Sequence, residues 1–542
     1  MTEGEPRKRV AIVGAGPTGL YTLFSLIEAG TPLAIAIYEQ AEEAGVGMPY
    51  NDDENIRLML ANIASIEIPP ITETYLDWLR EQDAARLARY DVDKDGLHER
   101  QFLPRILLGE YFRDQFLALV ARGKAAGFEI SVHETCCVTD LEAREDGVWL
   151  WAECYDEPRR FDLAVIATGH VWPADEEATR SFFPSPWSGL LEAAIPACDV
   201  GVMGTSLSAI DAAMAVAAQH GRFVEEANET LRFERDAGSE ALSITLMSRS
   251  GILPEADFYC PIPYEPLAIA TPEAIEREIE AGADGLLDRI FALAAREIEA
   301  ADPAWSARVT LSDLDADSFA DAYFADRERH DAFRWAAYNL QEAERNKREQ
   351  RTVPWRYAIL RLHEAVQEIV PHLDDTDRER FDGGLCKVFV DNYAAIPSES
   401  IRRLLALRAA GVIALLELGP DYDMEVDEKR TAIRVGKEAH VYDVFIDARG
   451  QRPLEAKDLP FGKLRAQMMA SGDNIPDVDE DYVLLAPDVA RGRIAFGALP
   501  YLMHDRPFIQ GITASADIGV AIARAVSRPV TRQRRQLAFF RE

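Results

Sequence analysis

The sequence predicts an α/β protein: two nested Rossmann-like folds with a helical insertion. Three observations carry that expectation. A strand, a glycine-rich turn and a helix open the chain at "RVAIVGAGPTGLYTLFSLIEAGTPLAIAIYEQ" (9–40), and a second such unit stands at "CDVGVMGTSLSAIDAAMAVAAQHG" (198–221). Two short apolar strands end in Ala167-Thr168-Gly169 and Ala448-Arg449-Gly450. From 267 to 380 the chain is rich in Ala, Glu, Arg and Leu at helical spacing, which reads as an insertion.

Taken in order, 9–13 and 33–38 read as buried strands flanking a helix from Pro17 to Glu28. Helical sequence runs from 73 to 125, and "FEISVHETCCVTDLEA" and "GVWLWAEC" then alternate like antiparallel strands. "RFDLAVIATGH" supplies a buried strand, Leu163 to Ala167. "LSITLMSRSG" is the strand that partners the second unit, and "HVYDVFIDARGQRP" and "GRIAFGALP" return to sheet. A glycine-led helix follows at "FIQGITASADIGVAIARAV", and the basic "RPVTRQRRQLAFFRE" reads as a solvated helix end.

The first turn has the pattern Gly14-x-Gly16-x-x-Gly19. Gly14 permits the tight turn, Gly16 lets backbone approach a pyrophosphate, and Gly19 lets the helix pack close to the strand. The free N–H groups of the helix start, around Pro17 and Thr18, then face the phosphates. Glu39 ends the next strand, where a carboxylate can bind ribose hydroxyls. "GVGMPY" (45–50), with Gly47 and Met48, fixes a loop near the same nucleotide; its alternative is a plain connecting turn.

The second turn keeps one glycine of the pattern, in Gly204-Thr205-Ser206-Leu207-Ser208-Ala209. Ser206 or Ser208 could donate to phosphate, and the alternative is a packing turn. The following strand ends in Ser248-Arg249. A guanidinium there suits a 2′-phosphate and so favours NADPH over NADH; a surface ion pair is the other reading.

Lys and Arg number 58 against 93 Asp and Glu, a formal net charge of −35. That balance argues against a nucleic-acid or anionic-membrane surface. No stretch reaches the roughly 18 apolar residues of a membrane span. Arg7, Lys8 and Arg9 precede an apolar run broken by glycine and proline, so the N-terminus reads as mature structure and the protein as cytoplasmic. Six cysteines without a Cys-x-x-Cys predict reduced thiols, Cys136 and Cys137 included, and no metal is expected.

"VIATGH" (165–170) resembles the Ala-Thr-Gly hinge of two-dinucleotide-binding-domain flavoproteins. "FIDARGQRP" (445–453) resembles their second crossing, and "GITASADIGVAIARA" (511–525) their closing helix. Over nearly the whole chain, "EQAEEAGVGMPYNDDEN", "MLANIASIEIPP", "RQFLPRILLGEYFRDQF", "GILPEADFYCPIPYEPL" and "NYAAIPSESIRRLLALR" resemble the YdhS-like family. Its wider group includes flavin-dependent aspartate N-hydroxylases of nitrosuccinate pathways. The resemblance implies an FAD domain over 1–170 and 440–542. It implies an NAD(P) domain over 171–266, completed by part of 381–439, with 267–380 inserted. It adds Thr168, Gly169, Gly450, Gly511 and Thr513 to the cofactor-binding residues.

Two nucleotide sites imply an FAD-dependent oxidoreductase that uses NADPH, or NADH, and acts on a small-molecule substrate. Disulfide reductases need a cysteine pair beside the flavin, and the early pair they use is missing. The leading expectation is a monooxygenase that N-hydroxylates a small, aspartate-like amino acid. An NAD(P)H dehydrogenase reducing a quinone is the alternative enzyme, and a non-catalytic flavin redox sensor is the alternative of another class. Arg105, with Arg402 or Arg403, is expected to hold substrate carboxylates, and Tyr111, Tyr259 and Tyr264 to line the pocket. His170, beside the hinge, is expected to contact nicotinamide or buffer a proton. Each has a bland alternative: Arg105 paired with Glu110, Arg402 and Arg403 on a solvated helix face, the tyrosines packing a loop.

Overall fold

Strand Arg9–Val13 is an unbroken apolar run because both faces of its sheet are covered, and Val10 to Val13 are buried. It lies at the centre of a five-stranded parallel sheet. The strand order is Ile494–Phe496, Leu163–Ile166, Arg9–Val13, Ala34–Tyr38, Glu129–His133. A second five-stranded parallel sheet has the order Ile413–Glu417, Ser243–Ser248, Asp199–Met203, Val444–Asp447, Phe182–Phe183. The computed structural model describes residues 7–173, 177–226, 230–472 and 474–528. The basic stretch beyond Arg528 lies outside the described residues.

The two sheets repeat one plan. Each has a first strand, a turn and a helix, Pro17–Glu28 or Leu207–Ala218. In each, a later helix, Arg105–Ala125 or Ser398–Ala409, returns the chain to the third strand. A three-stranded antiparallel meander then leads into the crossing strand, Leu163–Ile166 or Val444–Asp447. The expectation of an antiparallel strand at "FEISVH" is corrected: Glu129–His133 pairs in parallel with Ala34–Tyr38. The helix just before it supplies the crossover that a parallel strand requires. Antiparallel pairing begins only at Val138–Arg144 with Gly147–Ala152.

The expectation of reduced thiols is corrected at one place. Cys136 and Cys154 form a disulfide, with Cα atoms 5.5 Å apart. In this hairpin Val138 stands opposite Ala152, so residues two places further out on each strand also stand opposite. Cys137, Cys198, Cys260 and Cys386 are free thiols.

Between strands Ser243–Ser248 and Ile413–Glu417 of the second sheet, helices run from Pro272–Glu280 to Leu385–Tyr393. Most close around their own core of Ile290, Phe319, Ile359, Leu362, Phe381 and Val388. Helix Ala332–Glu349 differs: Phe333, Ala336, Leu340 and Ala343 pack into the second sheet's core. Among the described residues no helix is long and apolar enough to cross a membrane.

Candidate functional site

Gly14 has φ +96°, and a Cβ there would lie 2.3 Å from the Ala167 carbonyl oxygen. The crossing strand therefore presses on the first turn, and only glycine fits. A Cβ on Gly19 would meet the Gly14 carbonyl at 2.1 Å, which lets the helix sit against the turn. The loop 45–50 lies on the same place. Gly45 N donates to Ala15 O at 2.9 Å, and a Cβ on Gly16 would stand 3.3 Å from Gly47 Cα. Met48 begins the short helical turn Met48–Tyr50. Helix Pro17–Glu28 starts at Gly16 with no side-chain cap. Side chains are kept out of this cradle and its N–H groups are left free, which fits a pyrophosphate.

Glu39 is buried at the end of its strand, and its carboxylate accepts from Ala15 N at 2.9 Å and Ala41 N at 3.0 Å. The acid is thus held beside the turn, where an adenosine ribose would lie. Thr18 Oγ1 stands 3.0 Å from Ser515 Oγ, joining the first helix to the closing helix Gly511–Ser527. That helix starts at Gln510 without a side-chain cap, and Gly511 and Thr513 are exposed at its mouth. These features fit FAD laid from Glu39 across the turn to the closing helix.

The second turn reproduces the first. Gly204 has φ +131°, and a Cβ there would lie 3.0 Å from the Ala448 carbonyl oxygen, in the crossing strand of its own sheet. Helix Leu207–Ala218 starts at Ser206 with no side-chain cap. Thr205 donates to Ser248 Oγ at 3.3 Å, which ties the turn to the next strand. Arg249 follows, exposed and without an ion pair among the described residues. Its guanidinium is free to meet a 2′-phosphate.

The two crossings meet. Val171 N donates to Gln451 Oε1 at 3.1 Å, which sets Thr168-Gly169-His170 beside Arg449-Gly450. A Cβ at Gly169 or at Gly450 would meet open space. Arg449 is folded back on Asp447. Thr168 Oγ1 and His170 Nδ1 are buried with no protein partner. Burial holds the His170 pKa below its usual value, so the ring is neutral at pH 7. The indoles of Trp172 and Trp187 lie 4.6 Å apart, and both N–H groups are buried without a partner.

The remaining expected site residues lie elsewhere. The Arg105 guanidinium is engaged by Asp211 at 2.7 Å and by Leu60 O at 3.0 Å. Its alternative partner Glu110 pairs instead with Arg86. Tyr111 is 0% exposed, and its hydroxyl donates to Glu73 O at 2.9 Å; it belongs to the first core. Arg402 pairs with Glu344 and Glu399, and Arg403 with Glu399 and Leu58 O. Tyr259 carries the Arg100 guanidinium 4.5 Å above its ring, and Tyr264 meets Tyr357 edge-on.

Sequence reading missed residues that the insertion brings to the first site. Phe508, three residues before the closing helix, is buried among Phe381, Phe389 and Tyr393 of the insertion. The insertion is therefore anchored next to the mouth of that helix. Burial and the Asp517 carboxylate raise the pKa of Glu364, on insertion helix Pro354–Gln367, and burial raises that of Asp517 on the closing helix. Glu67 is pushed up to about 7 by burial and by Asp257, against the pull of Arg100 and Lys347. No local motif announces these meetings, because each joins segments far apart in the chain.

Residues 11–171 match the FAD-NAD(P)-binding family, and residues 271–393 the YdhS-like middle domain. The uncharacterized protein YdhS of Escherichia coli (strain K12) is 64% identical over 533 residues, covering 98% of this chain and 100% of its own. Among solved structures, the ornithine N-hydroxylase of Kutzneria sp. 744 aligns over 96% of this chain and 99% of its own, at 15% identity and TM-score 0.49. The ornithine hydroxylase of Pseudomonas aeruginosa aligns over 96% and 100%, at 11% identity and TM-score 0.49. The thioredoxin reductase of T. acidophilum aligns over 96% and 98%, at 9% identity and TM-score 0.36. The glycine turn, its terminal acid and the matched domain make this an FAD/NAD(P)-binding flavoprotein, and the end-to-end identity shows that the chain belongs to the YdhS-like family.

Proposed function

We propose that the protein is an NADPH-dependent flavin monooxygenase that N-hydroxylates a small amino acid. The observation that carries this reading is the paired geometry of the turns. Gly14 rests on Ala167, Gly204 rests on Ala448, and the two crossings are hydrogen-bonded to each other. Bound FAD would supply two-electron chemistry and oxygen activation, and the chain supplies orientation and exclusion of water. The first cradle would hold the pyrophosphate, with Glu39 placed for the ribose. Arg249 would select for a 2′-phosphate. His170, neutral and with Nδ1 unpartnered, offers a proton acceptor at the junction. The insertion is anchored through Phe508, three residues before the closing helix.

Arg105, Arg402 and Arg403 are occupied, so the carboxylate-binding role expected of them passes to Arg506. That arginine precedes the closing helix, lies 4.6 Å over the Tyr482 ring, and has no carboxylate partner among the described residues. The disulfide does not support a disulfide-reductase reading, because Cys136 N donates to Glu39 O, at the ribose end of the cradle. The Trp172–Trp187 pair, with two unpartnered N–H donors, favours a second reading: a dehydrogenase that passes electrons to a planar carbonyl compound such as a quinone.

The test is to follow NADPH oxidation in air with a panel of small amino acids. Hydroxylated amine formed in step with NADPH loss is the expected result. Quinone reduction without oxygen uptake would select the second reading. Flavin-loaded protein that gives neither product would overturn both.

A further inference from the structure

Segment 58–60, which follows the loop of the first nucleotide site, does not stay in its own domain. Met59 is 1% exposed and belongs to the core of the second nucleotide domain, among Val200, Ile210 and Leu404. Two arginines hold this strap from opposite sides. Arg403, on helix Ser398–Ala409 of the second domain, donates to Leu58 O at 2.6 Å. Arg105, from the first domain, donates to Leu60 O through Nε and to Met59 O through its backbone N–H. Leu60 also bridges to Pro104, just before Arg105.

Arg105 then reaches across the boundary. Its Nη2 lies 2.7 Å from Asp211 Oδ2, with side chains only 11% and 10% exposed. Each end of the pair is rooted in a nucleotide site. Arg105 begins helix Arg105–Ala125, whose Gly109 is so close to Tyr50 that a Cβ would lie 2.2 Å from the Tyr50 carbonyl oxygen. Tyr50 ends the loop packed on Gly16. Asp211 lies in the second turn of helix Leu207–Ala218, whose free N-terminus at Ser206 is the phosphate end of the second site. A short rigid path therefore runs from the first cradle through Gly109, Arg105 and Asp211 to the second.

We infer that Arg105 and Asp211 are positioning residues, whose ion pair and strap lock the second nucleotide turn in register with the first. The inference rests on the reading that both nucleotides meet at the junction. A buried ion pair is a poor source of net stability, because desolvating both ions offsets their attraction; its best-attested use is to specify one arrangement. Apolar contact through Met59 alone would allow sliding. A buried contact at 2.7 Å, whose guanidinium is also fixed by the Nε bond to Leu60 O, does not.

The test uses FAD-loaded protein, wild type and Asp211→Asn, mixed with NADPH without oxygen. Three readouts should stay level: flavin content, spectral reduction by dithionite, and the NADPH concentration giving half-maximal rate. The limiting rate of flavin bleaching should fall by about tenfold or more, since a misplacement of about 1 Å can cost ~100-fold. Amide hydrogen exchange should rise over 58–61 and 207–212 and stay level elsewhere. Asp211→Glu, which keeps the charge one methylene further out, should lie between the two and serves if Asp211→Asn does not fold. Unchanged bleaching, or a loss matched by lost flavin, would overturn the positioning role. If NADPH does not bleach the wild type, the proposed function fails instead; exchange still decides the lock, and unchanged exchange in the variant would overturn it.

Discussion

Gly16 shows how one position without a side chain shapes a cofactor site. It is not strained; it is crowded, with Gly47 on one side and the bare start of a helix on the other. Gly16→Val would put branched carbons where a pyrophosphate must lie. The variant should purify colourless, with FAD affinity weakened by about 100-fold or more. Flavin retained at full occupancy would contradict the site. Gly14, Gly16, Gly19 and Glu39 were legible because their work is local: the turn, the helix and the terminal acid follow one another in the chain. Arg105 was misread for the opposite reason. Its type and its place at a helix start suggest a free guanidinium, and the carboxylate that claims it sits on a distant helix of the other domain. Tyr111 reads as a pocket residue by chemistry, but its helix turns it into the core.

Among the elements, the strands and helices flanking the two glycine turns were the legible ones, and pairing direction was not. "FEISVH" alternates as an antiparallel strand would, yet the crossover helix before it places it at the edge of the parallel sheet. The disulfide was readable in principle, since Cys136 and Cys154 stand two places outside the Val138–Ala152 pair of a hairpin. Spacing alone conceals it, because the strand ends must be known first. The chain has six cysteines, so the oxidised protein, denatured without reductant, should present 6 − 2 = 4 reactive thiols. Cys154→Ser should lower the stability of the oxidised form by about 2–3 kcal/mol, read from the urea midpoint, and the difference should vanish in reductant. Six reactive thiols would contradict the bond.

At the scale of the whole molecule, one topological plan is used twice, and the segments that follow the two crossing strands are hydrogen-bonded to each other. The two Gly-ending crossings disclosed that plan, because each closes its own sheet against its own glycine. Hidden from the sequence were the strap through Met59, the insertion pinned by Phe508, and the charge of Asp517 on the closing helix that raises the Glu364 pKa. These depend on packing between units, where hydrophobic pattern gives burial but not partner. The most direct test of the central claim is to mix FAD-loaded protein with each nicotinamide nucleotide in the absence of oxygen. The flavin's visible absorbance should bleach, with NADPH effective at concentrations about tenfold below NADH because of the free Arg249 guanidinium. Absorbance left unchanged at saturating concentrations of both would show that the two nucleotide sites do not work on each other.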